Sequence, residues 1–134
     1  MRQNGWEQRL WRVTRGALVK PFEYGTNDCA IFAADCVKAI TGVDLAAELR
    51  GTYSTEAGAL KVILQRGCEN IEQLISTFLP EMPKEMARRG DLVSVEGIHG
   101  VFIAVVDGRT AVGPTPSGIR HTAKAKARMA WRVD

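Results

Sequence analysis

A cysteine placed directly after an aspartate is the residue pair in this 134-residue chain with the clearest chemical potential. Asp28 and Cys29 follow a glycine-containing segment and precede an apolar run at 30–37. The pattern predicts a helix with Asp28 as its N-cap and Cys29 in its first turn. The helix dipole and the free N–H groups there favour thiolate, which is the nucleophilic form of cysteine. Cys29 is therefore a candidate nucleophile, and the competing interpretation is a small apolar packing residue.

A thiol nucleophile needs a base, which is usually histidine. The chain has two histidines. His99 opens a long apolar run that is predicted to be a strand, and a strand start beside a helix N-terminus is a workable geometry for a Cys/His pair. His99 is thus the candidate base, although a polar residue satisfied at a strand start would look the same. His121 lies in a basic segment and is predicted to be on the surface.

The groups that would complete such a site are less clearly indicated. Thr110, Thr115 or a backbone carbonyl could orient the imidazole, because no third polar partner stands at an obvious position. Tyr24 and Asp28 are candidate pocket residues. The Tyr24 hydroxyl could stabilise an oxyanion together with the Cys29 N–H group, or Tyr24 could be an aromatic anchor that holds the loop on the helix.

The three cysteines predict neither a disulfide framework nor a metal site. Cys29 and Cys36 are separated by two helical turns, about 10 Å, which is too far for a disulfide. Cys68 stands alone, and no CxxC pair is present. Because both histidines are distant in sequence from the cysteines, a structural zinc is not expected. We expect no cofactor.

Composition and charge describe an ordinary globular chain that we expect to form one domain over 1–134. It is 46% apolar and 25% charged, with a net charge of +3. No apolar run is long enough to cross a bilayer, and the N-terminus lacks the apolar core of a signal peptide, so synthesis in a cytoplasm is expected. A basic cluster near the C-terminus is predicted to be a solvated surface rather than a nucleic-acid site; it contains Arg120, His121, Lys124, Lys126, Arg128 and Arg132.

Hydrophobic periodicity predicts helices first and antiparallel strands afterwards, which indicates an α+β fold. The helices are expected over about 5–16, 28–41, 55–65 and 71–79. The strands are expected over 91–95, 99–106, 109–112, 119–121 and 129–133, with a loop at 113–118. The run at 99–106 is apolar on both faces and is therefore predicted to be central.

Several of these segments resemble the NlpC-like branch of the papain fold. The resemblance rests on Tyr24 and Gly25, on Asp28 and Cys29, on the Gly90-Asp91-Leu92 strand start, and on His99 leading into 100–108. The segments 21–25, 28–29, 32–35, 50–55 and 130–133 resemble more closely a small family from phage tail gene clusters and prophages.

The resemblance implies a papain-like core with Cys29 as nucleophile and His99 as base. It further implies cleavage of an amide in peptidoglycan stem peptides while phage DNA passes into the host. The chain would then be a virion component of the tail tip or baseplate, made in the host cytoplasm and contacting other tail proteins.

The chain departs from the NlpC-like pattern at three points. Ala30 and Ile31 replace the serine and glycine that usually follow the cysteine, the strand after His99 is one residue longer, and the third polar residue is absent. These departures keep a second interpretation open, in which the domain is a catalytically eroded structural component of the tail tip.

Overall fold

Four α-helices precede a six-stranded antiparallel sheet in the computed structural model, which describes residues 1–134. The helices are α1 (Trp6–Ala17), α2 (Cys29–Thr41), α3 (Glu56–Gln65) and α4 (Ile71–Ser76). The strands are β1 (Glu81–Met82), β2 (Leu92–Gly97), β3 (Gly100–Asp107), β4 (Thr110–Thr115), β5 (Gly118–Ala123) and β6 (Met129–Trp131). The α+β class predicted from the sequence is therefore confirmed.

Side-chain caps explain where three of the helices begin. Asp28, Thr55 and Asn70 each accept a hydrogen bond from a backbone N–H group in the first turn of α2, α3 and α4. Gly42, with φ of 85°, ends α2 in the left-handed conformation that glycine favours. Helix α4 is shorter than predicted, because its last turn tightens into bonds such as Thr77 N–H to Leu74 O.

The sheet has the order β1-β6-β2-β3-β4-β5, so β3 is an interior strand as its apolar pattern predicts. The loop predicted at 113–118 is wrong, since β4 continues to Thr115 and only residues 116–117 form the turn to β5. Gly113 lies within β4, and glycine is needed there because a Cβ would lie 2.5 Å from the Ile103 carbonyl oxygen. Strand β1, which lies between two prolines, was not predicted.

Both faces of the sheet are buried. On one face, Ile103 and Val105 of β3 pack against Phe32, Cys36 and Ile40 of α2. On the other face lies a second cluster, formed by Val93, Val95, Phe102, Ala104, Val106, Ala87 and Ala127. Helix α2 thus packs against the middle of β3. This packing determines which side chains surround Cys29, the first residue of the helix. No helix is both long and apolar enough to pass through a bilayer.

Candidate functional site

Cys29 is the first residue of α2, and Asp28 is its N-cap, as the sequence predicts. One carboxylate oxygen of Asp28 accepts a hydrogen bond from the Ile31 N–H group at 2.9 Å. The other accepts from the Gly25 N–H group at 2.8 Å and from the Tyr53 hydroxyl at 2.6 Å. Asp28 is buried, and these three bonds occupy it in holding the loop, the helix start and Tyr53 together.

Tyr53 is a site residue that we did not single out from the sequence. Its hydroxyl reaches Asp28, and its carbonyl lies against Gly25 so closely that a Cβ on Gly25 would be 2.0 Å from that oxygen. The Gly51 N–H group also donates to the Gly25 carbonyl at 3.0 Å. The only sequence signal was the segment 50–55 in the phage-tail resemblance, which carried no chemical role for its tyrosine.

The Cys29 thiol is packed between the two apolar clusters of the sheet. Burial raises the pKa of Cys29 to about 11, because an apolar surrounding penalises the charged thiolate. Hydrogen bonds from the backbone N–H groups of Ile103, Cys29 and Ala30 lower the pKa, and the Asp28 charge raises it further. The N–H groups at the helix terminus therefore lower the pKa of Cys29, as expected. Burial raises the pKa by more than they lower it, which keeps the thiol neutral at pH 7.

His99 lies in the two-residue turn between β2 and β3 rather than on the strand where it was predicted. Its Nε2 atom shares a hydrogen bond of 2.5 Å with the Ser117 hydroxyl, in the turn between β4 and β5. The Cys29 thiol contacts the N–H group of Ile103, four residues further along. Both Cys29 and His99 line the same cleft. No hydrogen bond joins Cys29 to His99.

Of the other predicted site residues, Thr115 lines the same cleft as His99 and accepts from the Ser117 N–H group at 3.2 Å, whereas Thr110 and His121 do not line it. Thr110 pairs with Asp107 at the opposite end of β3 from His99, so it is out of reach as an orienter and Ser117 takes that place. Thr115 donates to the Gly118 carbonyl at 2.8 Å within its own turn. His121 is exposed on the edge strand β5, opposite Val112.

Tyr24 lies beside the thiol. Its ring meets the Phe22 ring edge to face, with 4.9 Å between centroids, so it has the contacts of an aromatic anchor. Burial raises the pKa of Tyr24, and the nearby Glu56, Cys29 and Asp28 groups raise it further. The structure thus places Tyr24 next to Cys29 without assigning it an oxyanion role.

A cleft of about 690 Å³ opens over Cys29, and His99 lies on its wall. Its walls are mainly apolar, with Phe22, Leu60, Ile63, Ile98, Val101 and Pro116 among the lining residues. Arg120 is the one arginine or lysine that lines it. Nowhere do three His, Cys, Asp or Glu side chains converge as ligands of a metal ion would. The cleft has the shape and chemistry of a binding site for an apolar or peptide group.

Comparison with known proteins places the chain in one family. The sequence matches no curated protein. The model of the family described as "Domain of unknown function (DUF6950)" matches residues 1–133, which is nearly the whole chain. The chain therefore belongs to the DUF6950 family.

Proposed function

We propose that this chain is an NlpC-like, papain-fold component of a phage or prophage tail tip or baseplate, whose Cys29 cleft binds a peptide without cleaving it. The cleft retains the position of a thiol nucleophile but not its chemistry. The ligand would be a peptidoglycan stem peptide or an extended segment of a neighbouring tail protein.

The hydrogen bond of His99 to Ser117, rather than to Cys29, carries the proposal. The thiol faces the middle of β3, whereas the imidazole is bonded to Ser117 beyond the start of that strand. A general base acts from within hydrogen-bond reach of the group that it deprotonates, directly or through one water. With its pKa raised to about 11 by burial, the thiol is also almost entirely protonated at neutral pH. Both observations favour binding over turnover.

The papain-like ancestry is supported by the arrangement of elements around the cleft. A cysteine that begins a buried helix faces the interior strand of an antiparallel sheet, and the histidine belongs to the hairpin that leads into this strand. The resemblance of 24–29, 90–92 and 99–108 to the NlpC-like pattern points the same way. The phage-tail location rests on that resemblance alone.

The second candidate function is a cysteine amidase or endopeptidase acting on peptidoglycan stem peptides. It is favoured by the backbone N–H groups of Ile103, Cys29 and Ala30, which surround the sulfur and would stabilise a thiolate. Cys29 and His99 also line one cleft. This function requires His99 to leave Ser117 and reach the sulfur when substrate binds.

Incubation with purified sacculi separates the two functions. We expect the protein to sediment with sacculi or with tail proteins and to release no soluble peptide. Release of peptides by the parent protein, lost in a Cys29→Ala variant that folds normally, would establish the enzyme instead.

Alkylation by iodoacetamide provides an independent measurement. Cys36 and Cys68 are buried, so Cys29 is the accessible thiol, and a Cys29→Ser variant supplies the background. Because only the thiolate reacts, the rate should rise with pH up to about 11 and should be low at neutral pH. A plateau near neutral pH would contradict the inactive site.

The tail location has its own test. Gold-labelled antibodies against the chain should decorate the tail tip of particles from a phage or induced prophage that encodes it. Label confined to lysate fractions without particles would reject a virion role and leave the properties of the cleft unchanged.

A further inference from the structure

We propose that the exposed face of α1 and the groove between α1 and α2 form a docking surface for a membrane that contains anionic lipids. The surface and its groove share no lining residue with the Cys29 cleft, and the proposal does not depend on the function of that cleft. We call it the α1 surface, defined by Trp11, Arg12, Arg15, Leu18, Val19 and Lys20.

Three large apolar side chains of the α1 surface are left in solvent. Trp11 is 54% exposed, Leu18 is 50% exposed and Val19 is 84% exposed. Residues 11 and 15 share one face of α1, and 18 and 19 follow directly after its last residue, Ala17. An apolar stripe at the end of a helix, unused by the core, is the part that would enter the boundary between headgroups and acyl chains.

Basic side chains accompany this stripe. The Arg15 guanidinium stacks on the Trp11 ring at 5.2 Å from its centroid, and Arg12 and Lys20 are exposed. None of these three cations forms an ion pair within the protein; Glu7 is the acidic residue in the first turn of the helix. The combination of tryptophan, aliphatic and basic residues matches an anionic lipid surface.

The neighbouring groove adds a place for the lipid headgroups. It encloses about 520 Å³ between α1 and α2 and is lined by Arg9, Arg12, Lys20 and Lys38. Its one carboxylate, Asp35, is already paired with Arg50 at 2.7 Å. Arg9 donates to the Ala39 and Asn4 carbonyls, but Arg12, Lys20 and Lys38 form no ion pair. The groove is therefore a positive site, which a phosphate of an anionic headgroup would neutralise. A second copy of the same surface would bring like charges together, so self-association through it is disfavoured.

Vesicle binding tests the proposal with the full chain. We expect co-sedimentation with mixed phosphatidylcholine and phosphatidylglycerol vesicles, weakened by salt, and little with phosphatidylcholine alone. The fluorescence should shift to the blue on binding, chiefly through Trp11, since Trp131 is fully buried and Trp6 is partly buried; Trp11→Gln identifies the share of Trp11. The double variant Arg12→Gln/Lys20→Gln should bind about 25-fold more weakly, at about fivefold per cation.

A Trp11→Gln variant should lose both binding and the fluorescence shift. The matched control is Leu64→Gln, which removes an exposed apolar residue of α3 outside the surface and should bind like the parent. The proposal is overturned if anionic vesicles are not bound at low salt, or if the α1 variants bind as well as the control. It is equally overturned if Trp11→Gln abolishes self-association of the free protein instead, or if the protein binds duplex DNA but not vesicles.

Discussion

At Cys29, burial and the helix terminus act on one thiol in opposite directions. The pKa of Cys29 rises from an ordinary 9.0 to about 11, because desolvation exceeds the effect of the surrounding N–H groups. An unfolded chain would lose this proton first as the pH increases. The partly buried, neutral thiol therefore stabilises the folded state below pH 9, and this contribution is lost as the pH rises from about 9 to 11.

Replacing Tyr53 with phenylalanine tests how much the hydrogen bond from its hydroxyl to Asp28 contributes to stability. The change removes the 2.6 Å hydrogen bond from the Tyr53 hydroxyl to a buried carboxylate. Hydrogen bonds to charged groups contribute about 1.5–3 kcal/mol, so Tyr53→Phe should lower the free energy of unfolding by that amount in a urea titration. Tyr24→Phe is the matched control and should cost less than about 0.5 kcal/mol. Equal losses in the two variants would show that Asp28 does not depend on Tyr53.

At the scale of the elements, the alternation of β3 decides what faces the thiol. Ile103 and Val105 lie on the α2 side, and Phe102 and Ala104 lie on the other. Val101 shares the side of Ile103 and lines the cleft. The strand positions nearest the sulfur are thus apolar, and the histidine stands just beyond the strand.

A Val101→His variant should restore a titrating partner to the thiol. A nearby imidazolium lowers a thiol pKa by one or more units, so alkylation of Cys29 at pH 7 should accelerate at least about tenfold. Val101→Asn controls for polarity without a charge. Equal alkylation rates for the two variants would show that a histidine at position 101 does not lower the pKa of the Cys29 thiol.

The contact between Gly25, in the loop before α2, and Tyr53, in the loop after α2, can also be tested by substitution. Gly25→Ala must accommodate φ of 88° and a Cβ that would lie 2.0 Å from the Tyr53 carbonyl oxygen. Gly51→Ala has φ of 71° but open space around it, so it carries the backbone strain alone. We expect a loss of about 1–2 kcal/mol for Gly51→Ala and at least about 3 kcal/mol for Gly25→Ala in thermal or urea unfolding. Similar losses would mean that the Tyr53 carbonyl moves freely.

At the scale of the whole molecule, Arg2 and Asp91 join the two ends of the chain to the sheet. Arg2 donates to Asp91 at 3.0 Å and to the carbonyls of Arg89 and Val133. Asp91, with only 1% of its side chain exposed, also accepts from the Val133 N–H group at 3.0 Å. Asp91, which precedes the first residue of β2, thus links the N-terminal and C-terminal segments of the chain.

Removing Arg2 should destabilise the entire fold. Arg2→Ala leaves the buried Asp91 carboxylate without its cation, which costs about 3–5 kcal/mol of unfolding free energy. The exposed pair between the N-terminal amine and Asp134 is the control, and Asp134→Ala should leave the melting temperature unchanged. A small effect of Arg2→Ala would show that water replaces the guanidinium at this site.

Features that depend on neighbours along the chain were predictable from the sequence. Asp28 begins α2 and Gly42 ends it, because a cap and a left-handed glycine act within one helical turn. The turn after Asp107 and the two-sided apolar pattern of β3 depend equally on short-range preferences. Gly113 favoured a loop in the prediction. In the structure it lies within a strand, where glycine is needed because the Ile103 carbonyl on the adjacent strand leaves no room for a Cβ atom.

The chemistry of the site depends instead on residues that the fold brings together from distant parts of the chain. Tyr53 reaches Asp28 across 25 residues, and His99 reaches Ser117 across 18. The protonation of Cys29 depends on apolar side chains from both faces of a sheet whose strands follow more than 50 residues later in the chain. Desolvation and hydrogen-bond partners are properties of packed neighbours, so no local pattern around Cys29 could reveal that its thiol stays neutral and apart from His99.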